Sequence, residues 1–174
     1  MSKSTATTTA TTQPQETQES LFSRWLESIG AREASEMEVD ASGYFKSDEC
    51  ERCLADDDSA VLYGMFRGNR DGKYEMTTCD GNLYVFALDG VDGMTDDERE
   101  MRTSIAHLKT YVMGGDVHVE MLAVHANHNS KGIGTALMRE FLRRNPNGKV
   151  GPVTPGCMAI LRKIWREDVA SGEK

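Results

Sequence analysis

The residues whose types and spacing are best suited to ligand chemistry form a Gly-Ile-Gly sequence at 132–134, where a polar loop ends and a predicted helix begins. The first turn of a helix leaves backbone N–H groups unpaired and carries the positive end of the helix dipole, so it suits a phosphate group. The two glycines lack the Cβ atoms that would block close approach of a ligand. Lys131 adds a positive charge and Thr135 a hydroxyl group. These residues predict a diphosphate-binding site, with a purely steric need for glycine as the alternative.

The wider segment is more specific than the glycine pair. The sequence LAVHANHNSKGIGTALMREFL, from Leu122 to Leu142, resembles the acyl-CoA-binding segment of the GNAT acetyltransferase superfamily. That segment consists of a strand of the type L-x-V, a loop, and Arg/Gln-x-x-Gly-x-Gly/Ala at the start of a helix. Here Leu122 to Val124 match the strand and 129–134 match the loop, with Asn129 in place of the usual Arg or Gln.

The resemblance implies a cofactor, a reaction and a set of binding residues. The cofactor would be acetyl-CoA, and the reaction would be transfer of its acetyl group to a primary amine of a protein lysine, an amino terminus or a small amine. In that family, N–H groups of the loop and helix hold the CoA pyrophosphate, and the preceding strand pairs with the pantetheine arm through its backbone. These roles would pass to Leu122, Val124, Asn129, Ser130, Lys131, Gly132, Ile133, Gly134 and Thr135.

Acyl transfer to an amine also needs a base that removes a proton from the ammonium group. In related enzymes a carboxylate on the strand before the loop often has this role. Here His118 stands near that place, and Glu120 is the second candidate. Side-chain alternation predicts that both lie on the same face of the strand as Leu122 and Val124. The alternative is that both are edge-strand residues without a catalytic task.

Two departures from the family pattern concern its C-terminal end. The final helix of the family often carries a tyrosine that protonates the departing thiolate, and Leu161 stands at the corresponding place. Cys157 and Tyr111 are alternative proton donors, and their spacing selects neither. The chain also stops where the family has two closing strands, so the end is shortened or a second subunit of a homodimer completes it. A second hypothesis follows: a catalytically inactive GNAT-fold protein that acts as a protein-binding inhibitor or adaptor.

Apolar spacing and turn residues predict the elements that position this site. A helix capped by Ser20 ends at Gly30, and strands at 61–66, 73–78 and 83–88 form an antiparallel meander. The remaining predicted elements are helices at 48–55 and about 95–112, a strand at 117–124, a helix at 132–144, a short strand in KVGPVTP and a last helix around 158–165. The predicted fold class is α/β, with a GNAT-like mixed, mostly antiparallel sheet flanked by helices and a shortened C-terminal end.

The predicted helix at 95–112 does not fit the family, which normally has a tight turn before the strand at 117. It begins with a capping-box pattern of Thr95 and Glu98, and Ile105, Leu108 and Val112 follow at helical spacing. The alternative is that the strand numbering given by the resemblance shifts by one element.

Composition limits the cellular setting and the partners. The net charge of −8 and a pI near 5.0 disfavour binding to nucleic acid and to anionic membranes, and they favour a cationic substrate or simply solubility. The chain has only 4 cysteines in 174 residues and no apolar run at its amino terminus, which predicts a cytoplasmic protein without a membrane anchor. Residues 1–18 have the composition of a disordered tail, and 19–174 are expected to form one domain.

A zinc site is the main competing interpretation. Cys50 and Cys53 form one half of a recognised ligand pattern, and His125 with His128 could form the other half. The spacing between the two halves is not a recognised one. The cysteines also lie on one face of a predicted helix, so we interpret them as small apolar core residues and predict no metal.

Overall fold

The computed structural model describes residues 16–35, 61–67, 73–87 and 104–172, with the backbone alone for 61–67 and 73. The fold is mixed α/β, as the sequence predicts. The elements in chain order are α1 (Gln18–Ser28), β1 (Arg32–Glu33), β2 (Val61–Arg67), β3 (Lys73–Cys79), β4 (Asn82–Ala87), β5 (Ala106–Met113), β6 (Asp116–Val124), a 3₁₀ turn (Ala126–His128), α2 (Ile133–Arg144), β7 (Pro152–Val153) and α3 (Pro155–Ser171). The predicted helix at 48–55 lies outside the described residues, as do residues 1–15 of the predicted tail.

Five strands form one antiparallel sheet in the order β2-β3-β4-β5-β6. The predicted meander of three strands is confirmed as β2, β3 and β4. The hairpin between β5 and β6 turns through Gly114 and Gly115, whose φ angles are +63° and +91°. Two consecutive positive φ angles are typical of the tight turn that joins two strands with the natural right-handed twist, and glycine adopts them without strain.

The prediction of a helix that continues to Val112 is wrong, because 106–113 form β5. Ala106 and Leu108 are buried on the sheet face that carries the core, while Val112 extends beyond the core toward solvent. The apparent helical spacing therefore combines core residues with exposed ones. Thr95 and Glu98, where the predicted helix begins, lie outside the described residues. A tight turn joins β5 directly to β6.

The predicted helices α1, α2 and α3 are confirmed, with small differences at their ends. Helix α1 is capped by Thr17, whose Oγ1 accepts a hydrogen bond from the Ser20 N–H at 3.2 Å, so the cap is three residues earlier than predicted. Helix α2 packs on the sheet, and α3 packs on α2. The fully buried core includes Leu83, Val85, Leu108, Leu137, Met138, Phe141, Leu161 and Ile164.

The segment at 149–153, between α2 and α3, pairs with the chain that follows α1. The Val150 N–H donates to the Ile29 carbonyl at 2.8 Å, and β7 pairs with β1 in parallel. The Ala34 N–H donates to the Val153 carbonyl at 2.9 Å. This edge of 149–153 is therefore covered by the N-terminal part of the same chain. Among the described residues, no helix has both the length and the apolar character needed to cross a membrane.

Candidate functional site

Strand β6 contains a β-bulge at Glu120. Lys109 of β5 pairs with Met121, but the next residue, Thr110, pairs with Val119, so Glu120 has no counterpart on β5. An extra residue of this kind bends a strand and reverses the order of its faces. The bulge therefore divides β6 into two parts with opposite alternation.

The bulge makes one sequence prediction wrong. Val117 and Val119, before the bulge, pack against the same core as Leu122 and Val124 after it. His118 consequently lies on the opposite face from Leu122 and Val124, where its ring stacks on Tyr111 with centroids 5.1 Å apart and planes 23° apart. Glu120, the second candidate base, is exposed at the bulge itself.

Strand β6 and the segment at 149–153 form a wedge. They run parallel and touch at one point, where the Val119 N–H donates to the Lys149 carbonyl at 2.8 Å and the Lys149 N–H donates to the Val117 carbonyl at 2.9 Å. Beyond Lys149 the segment pairs with the chain after α1 instead of with β6. The two neighbours therefore separate toward the C-terminal end of β6, starting at the bulge.

The side of β6 that faces this wedge has unpaired backbone groups, and we call it the open edge, Leu122–Val124. The His125 N–H donates to the Ile105 carbonyl at 2.8 Å, which fixes the alternation of the β5–β6 ladder. In an antiparallel ladder every second residue directs its N–H and C=O away from the partner strand, and here these are Leu122 and Val124. Within the described residues, nothing forms a hydrogen bond to these outward groups.

The first turn of α2 lies at the wide end of the wedge, because α2 runs back from the C-terminal end of β6. Gly132 caps the helix with a φ of +86°, a conformation that favours glycine. The first intrahelical bond recorded from this turn runs from the Ala136 N–H to the Gly132 carbonyl at 3.0 Å. The N–H groups of 133–135 have no acceptor among the described residues. They form the donor set that the sequence predicts for a phosphate.

The two glycines do not have the same role. A Cβ atom at Gly134 would lie 2.9 Å from Ile160 Cδ1 and 3.7 Å from Val124 Cγ2. The missing side chain of Gly134 therefore allows α3 and β6 to pack against α2, so the prediction that this glycine clears space for a ligand is wrong. Gly132 is required by its backbone angle. The backbone N–H groups of the two glycines are still suited to anion binding, although the absence of their Cβ atoms has other causes.

The loop between β6 and α2 contains the remaining predicted binding residues. Asn129 and Ser130 are exposed and Lys131 is half-buried. Ser130 has a φ of +60°, which is uncommon for a residue other than glycine. The rings of His125 and His128 lie 6.1 Å apart. In the part of the chain that the structure describes, no group of three or more His, Cys, Asp or Glu side chains could hold a metal ion, and Cys50 and Cys53 lie outside that part.

The candidate proton donors lie in different places. Leu161 is fully buried in the core and has no proton to give. Cys157 lies in the first turn of α3, where burial raises the pKa of its thiol to about 11, so it stays protonated at neutral pH. Helices α2 and α3 run parallel, since Arg139 pairs with Glu167 and Gly134 contacts Ile160. Cys157 is therefore at the wide end of the wedge, whereas Tyr111 is beside His118 near the bulge.

The sequence did not predict the roles of two residues. The backbone of Lys149 joins 149–153 to β6, and the side chain of Ile160 fills the space beside Gly134. The bulge was not predicted either, although the sequence contains a signal for it. VHVE at 117–120 alternates, but MLAV at 121–124 is continuously apolar, and this break in period marks the bulge.

Comparisons with protein-family models, curated proteins and solved structures give no match for this chain. The chemistry of the site must be inferred from its own geometry. That geometry suits an elongated ligand with an anionic end at 133–135 and an arm containing amide groups along the open edge.

Proposed function

We propose that the protein is an acyl-CoA-dependent N-acetyltransferase with a GNAT-like fold, which transfers an acetyl group from acetyl-CoA to a primary amine. The observation that carries the proposal is the separation of β6 from 149–153 beyond Glu120, beside the N–H groups that begin α2. An unpaired strand edge can accept an extended chain that has its own amide groups. The pantetheine arm of CoA is such a chain, and the diphosphate is the anion that a helix N-terminus suits.

The residues present fit acetyl-CoA at both ends of the wedge. At the wide end, 133–135 offer three successive backbone N–H groups, and the half-buried Lys131 adds a positive charge beside them. Along the arm, Leu122 and Val124 offer both donors and acceptors. From Val124 to Glu120 is four residues of strand, or about 13 Å, so an arm that follows the open edge brings its far end to the bulge. The thioester would then lie beside Glu120.

In this proposal the chain orients the two reactants and removes one proton. Glu120 accepts a proton from the acceptor ammonium group, directly or through a water molecule, which leaves a neutral amine. The amine nitrogen then forms a bond to the carbonyl carbon of the thioester, and the carbon–sulfur bond breaks. The departing CoA thiolate takes up, through water, the second proton that the nitrogen loses. His118 is the second candidate base, with its ring held by Tyr111. Alignment of the amine and the thioester at the bulge supplies much of the rate without a dedicated acid.

The charge of the protein supports a cationic acceptor, because a net charge of −8 attracts amines. The composition also supports a cytoplasmic location, since the cysteines are too few for a disulfide framework.

The first test of this function is binding of acetyl-CoA. Because a ligand that binds only the native state stabilises it, acetyl-CoA at 100 times its Kd should add about 2.7 kcal/mol to the free energy of unfolding. We expect differential scanning fluorimetry to show a rise in Tm of about 5–10 °C. No rise at millimolar acetyl-CoA would contradict the proposal.

A charge reversal at Lys131 tests whether the anionic end of the ligand lies at α2. We expect Lys131→Glu to weaken acetyl-CoA binding by about tenfold, measured by isothermal titration calorimetry, because it replaces an attractive charge with a repulsive one beside the diphosphate. Lys163→Glu makes the same change in net charge at an exposed position on α3 and is the matched control. Equal losses in both variants would mean that only net charge matters.

One observation favours a second candidate function, a catalytically inactive protein that binds another protein as an inhibitor or adaptor. Leu161, where the family carries its tyrosine acid, is completely buried, so the position provides no proton donor. Acetyl-CoA binding without transfer to any amine, measured as release of free thiol, would favour this alternative.

A further inference from the structure

The hairpin of β5 and β6 carries a cluster of exposed apolar side chains. In the described residues, the large apolar side chains classed as exposed are Tyr111, Val112, Met113 and Met121, with 43%, 72%, 57% and 37% of their surface accessible. Alternation along β5 and pairing with β6 place Tyr111, Met113 and Met121 on the sheet face that carries His118, whereas Val112 lies on the opposite face with Val117. We call Tyr111, Met113 and Met121 the hairpin patch. Exposed apolar residues that are scattered singly need no explanation, but a cluster on one element is typical of an interaction surface.

The hairpin patch is close to the proposed reaction centre. Met121 is the residue after the bulge, and Tyr111 stacks on His118 two residues before Glu120. From Glu120 to Asp116, at the hairpin turn, is four residues of strand, or about 13 Å. A molecule with its amine at Glu120 would therefore have its next few residues over the hairpin patch.

Charge and size together select the occupant. The exposed carboxylates of Asp116 and Glu120 outnumber the half-buried Lys109, which pairs across the strands with Met121, and the chain has a net charge of −8, so the occupant is cationic. The same charge opposes a second copy of this chain and an anionic membrane. A small polyamine has the charge but no apolar side chains to cover Tyr111 and Met113. A polypeptide with a lysine close to bulky apolar residues has both.

We propose, on the basis of the function proposed above, that the acceptor is a polypeptide whose lysine lies beside bulky apolar residues, and that the hairpin patch binds those residues. Peptide-binding surfaces obtain most of their affinity from a few such side chains, while charged residues around them guide the encounter. The hairpin patch thus determines which lysines are modified, and Glu120 and the wedge perform the transfer.

The experiment compares three acceptors: a synthetic peptide with one lysine between Leu and Phe, the same peptide with Ser at both flanking positions, and spermidine. We expect kcat/KM for the apolar peptide to exceed that for the serine peptide by about tenfold or more, because each buried anchor contributes a factor of this order. A double variant, Met113→Gln and Met121→Gln, should lose this preference. Its kcat/KM for spermidine and its Kd for acetyl-CoA should stay unchanged.

Both substitutions replace exposed side chains with polar ones of similar shape, so the variant should fold, and its Tm provides the check. Val112→Thr, a polar substitution at an exposed position on the opposite face of β5, is the control and should keep the preference. Retention of the preference by the double variant, or a higher kcat/KM for spermidine than for the apolar peptide, would overturn the inference. A dimer that dissociates in the double variant, or patch-dependent binding to phosphatidylcholine vesicles, would also overturn it.

The outcomes separate this inference from the proposed function. A protein that binds acetyl-CoA and acetylates both peptides equally would overturn the inference alone. A protein that neither binds acetyl-CoA nor acetylates any of the three acceptors would overturn the proposed function and the inference with it.

Discussion

Replacement of Glu120 with Gln is expected to lower kcat for acetyl transfer by about 10²–10⁴-fold, the range typical of a lost general base, without changing the Kd for acetyl-CoA. The reason is the position of Glu120, exposed at the bulge where the open edge begins. Gln keeps the size and polarity of the side chain but cannot accept the proton. Transfer to the apolar lysine peptide, followed by mass spectrometry under saturating conditions, gives kcat.

Two further variants make this prediction specific. Glu33→Gln removes another exposed carboxylate from a strand, β1, and should leave kcat unchanged. His118→Phe keeps a ring that can stack on Tyr111 but removes the imidazole. A large loss of kcat in His118→Phe together with normal activity in Glu120→Gln would assign the base to His118 instead.

A Gly148→Ala variant is expected to lose about 1–3 kcal/mol or more of unfolding free energy, because the added methyl group overpacks a tight turn. Its Cβ would lie 2.7 Å from Phe141 Cζ and 2.9 Å from the backbone oxygen of Asn145. The turn itself cannot yield easily, since the Gly148 N–H donates to that same oxygen at 2.8 Å. Gly148 precedes Lys149, so the variant should also weaken acetyl-CoA binding by disturbing the backbone hydrogen bonds that join Lys149 to β6. Chemical denaturation and calorimetry measure the two effects.

Gly156→Ala is the matched control for this turn. There the added Cβ would meet Thr154 Oγ1 at 3.9 Å, which is ordinary contact, within the first turn of α3. We expect unchanged stability or a gain of up to about 1 kcal/mol, because alanine favours a helix more than glycine does. If both variants had the same stability as the parent protein, the close packing at Gly148 would be refuted.

The elements that sequence predicted well are those whose signals are local. Helix α2 follows from its apolar spacing and from the Asn-Pro-Asn-Gly sequence that ends it, and strands β2 to β4 follow from turns rich in Gly and Asp. Strand β5 was predicted as a helix because Ile105, Leu108 and Val112 have helical spacing. Pairing with β6 through a two-glycine turn determined its structure, and this tertiary contact overrides a weak local preference.

The position of the candidate site in the chain could be predicted from the sequence, but its detailed geometry could not. The glycine pair identified the start of α2, and the strand before it was predicted correctly. The bulge reversed the faces of β6, so the prediction placed His118 on the wrong side. Such a change depends on the register with β5, which is not a property of β6 alone. The pairing of β1 with β7 was not predicted either, because strands of 2 residues are too short to show periodicity.

Binding of acetyl-CoA by the open edge and the first turn of α2 together can be tested directly, because the backbone amides of both report on the bound ligand. Titration of ¹⁵N-labelled protein with acetyl-CoA, followed by amide NMR spectra, would test it. We predict that the largest shifts occur at the amides of Leu122, Val124 and 132–135, with smaller changes in α1. If these amides do not move at millimolar acetyl-CoA, or if the shifts are confined to other parts of the chain, this mode of binding is contradicted.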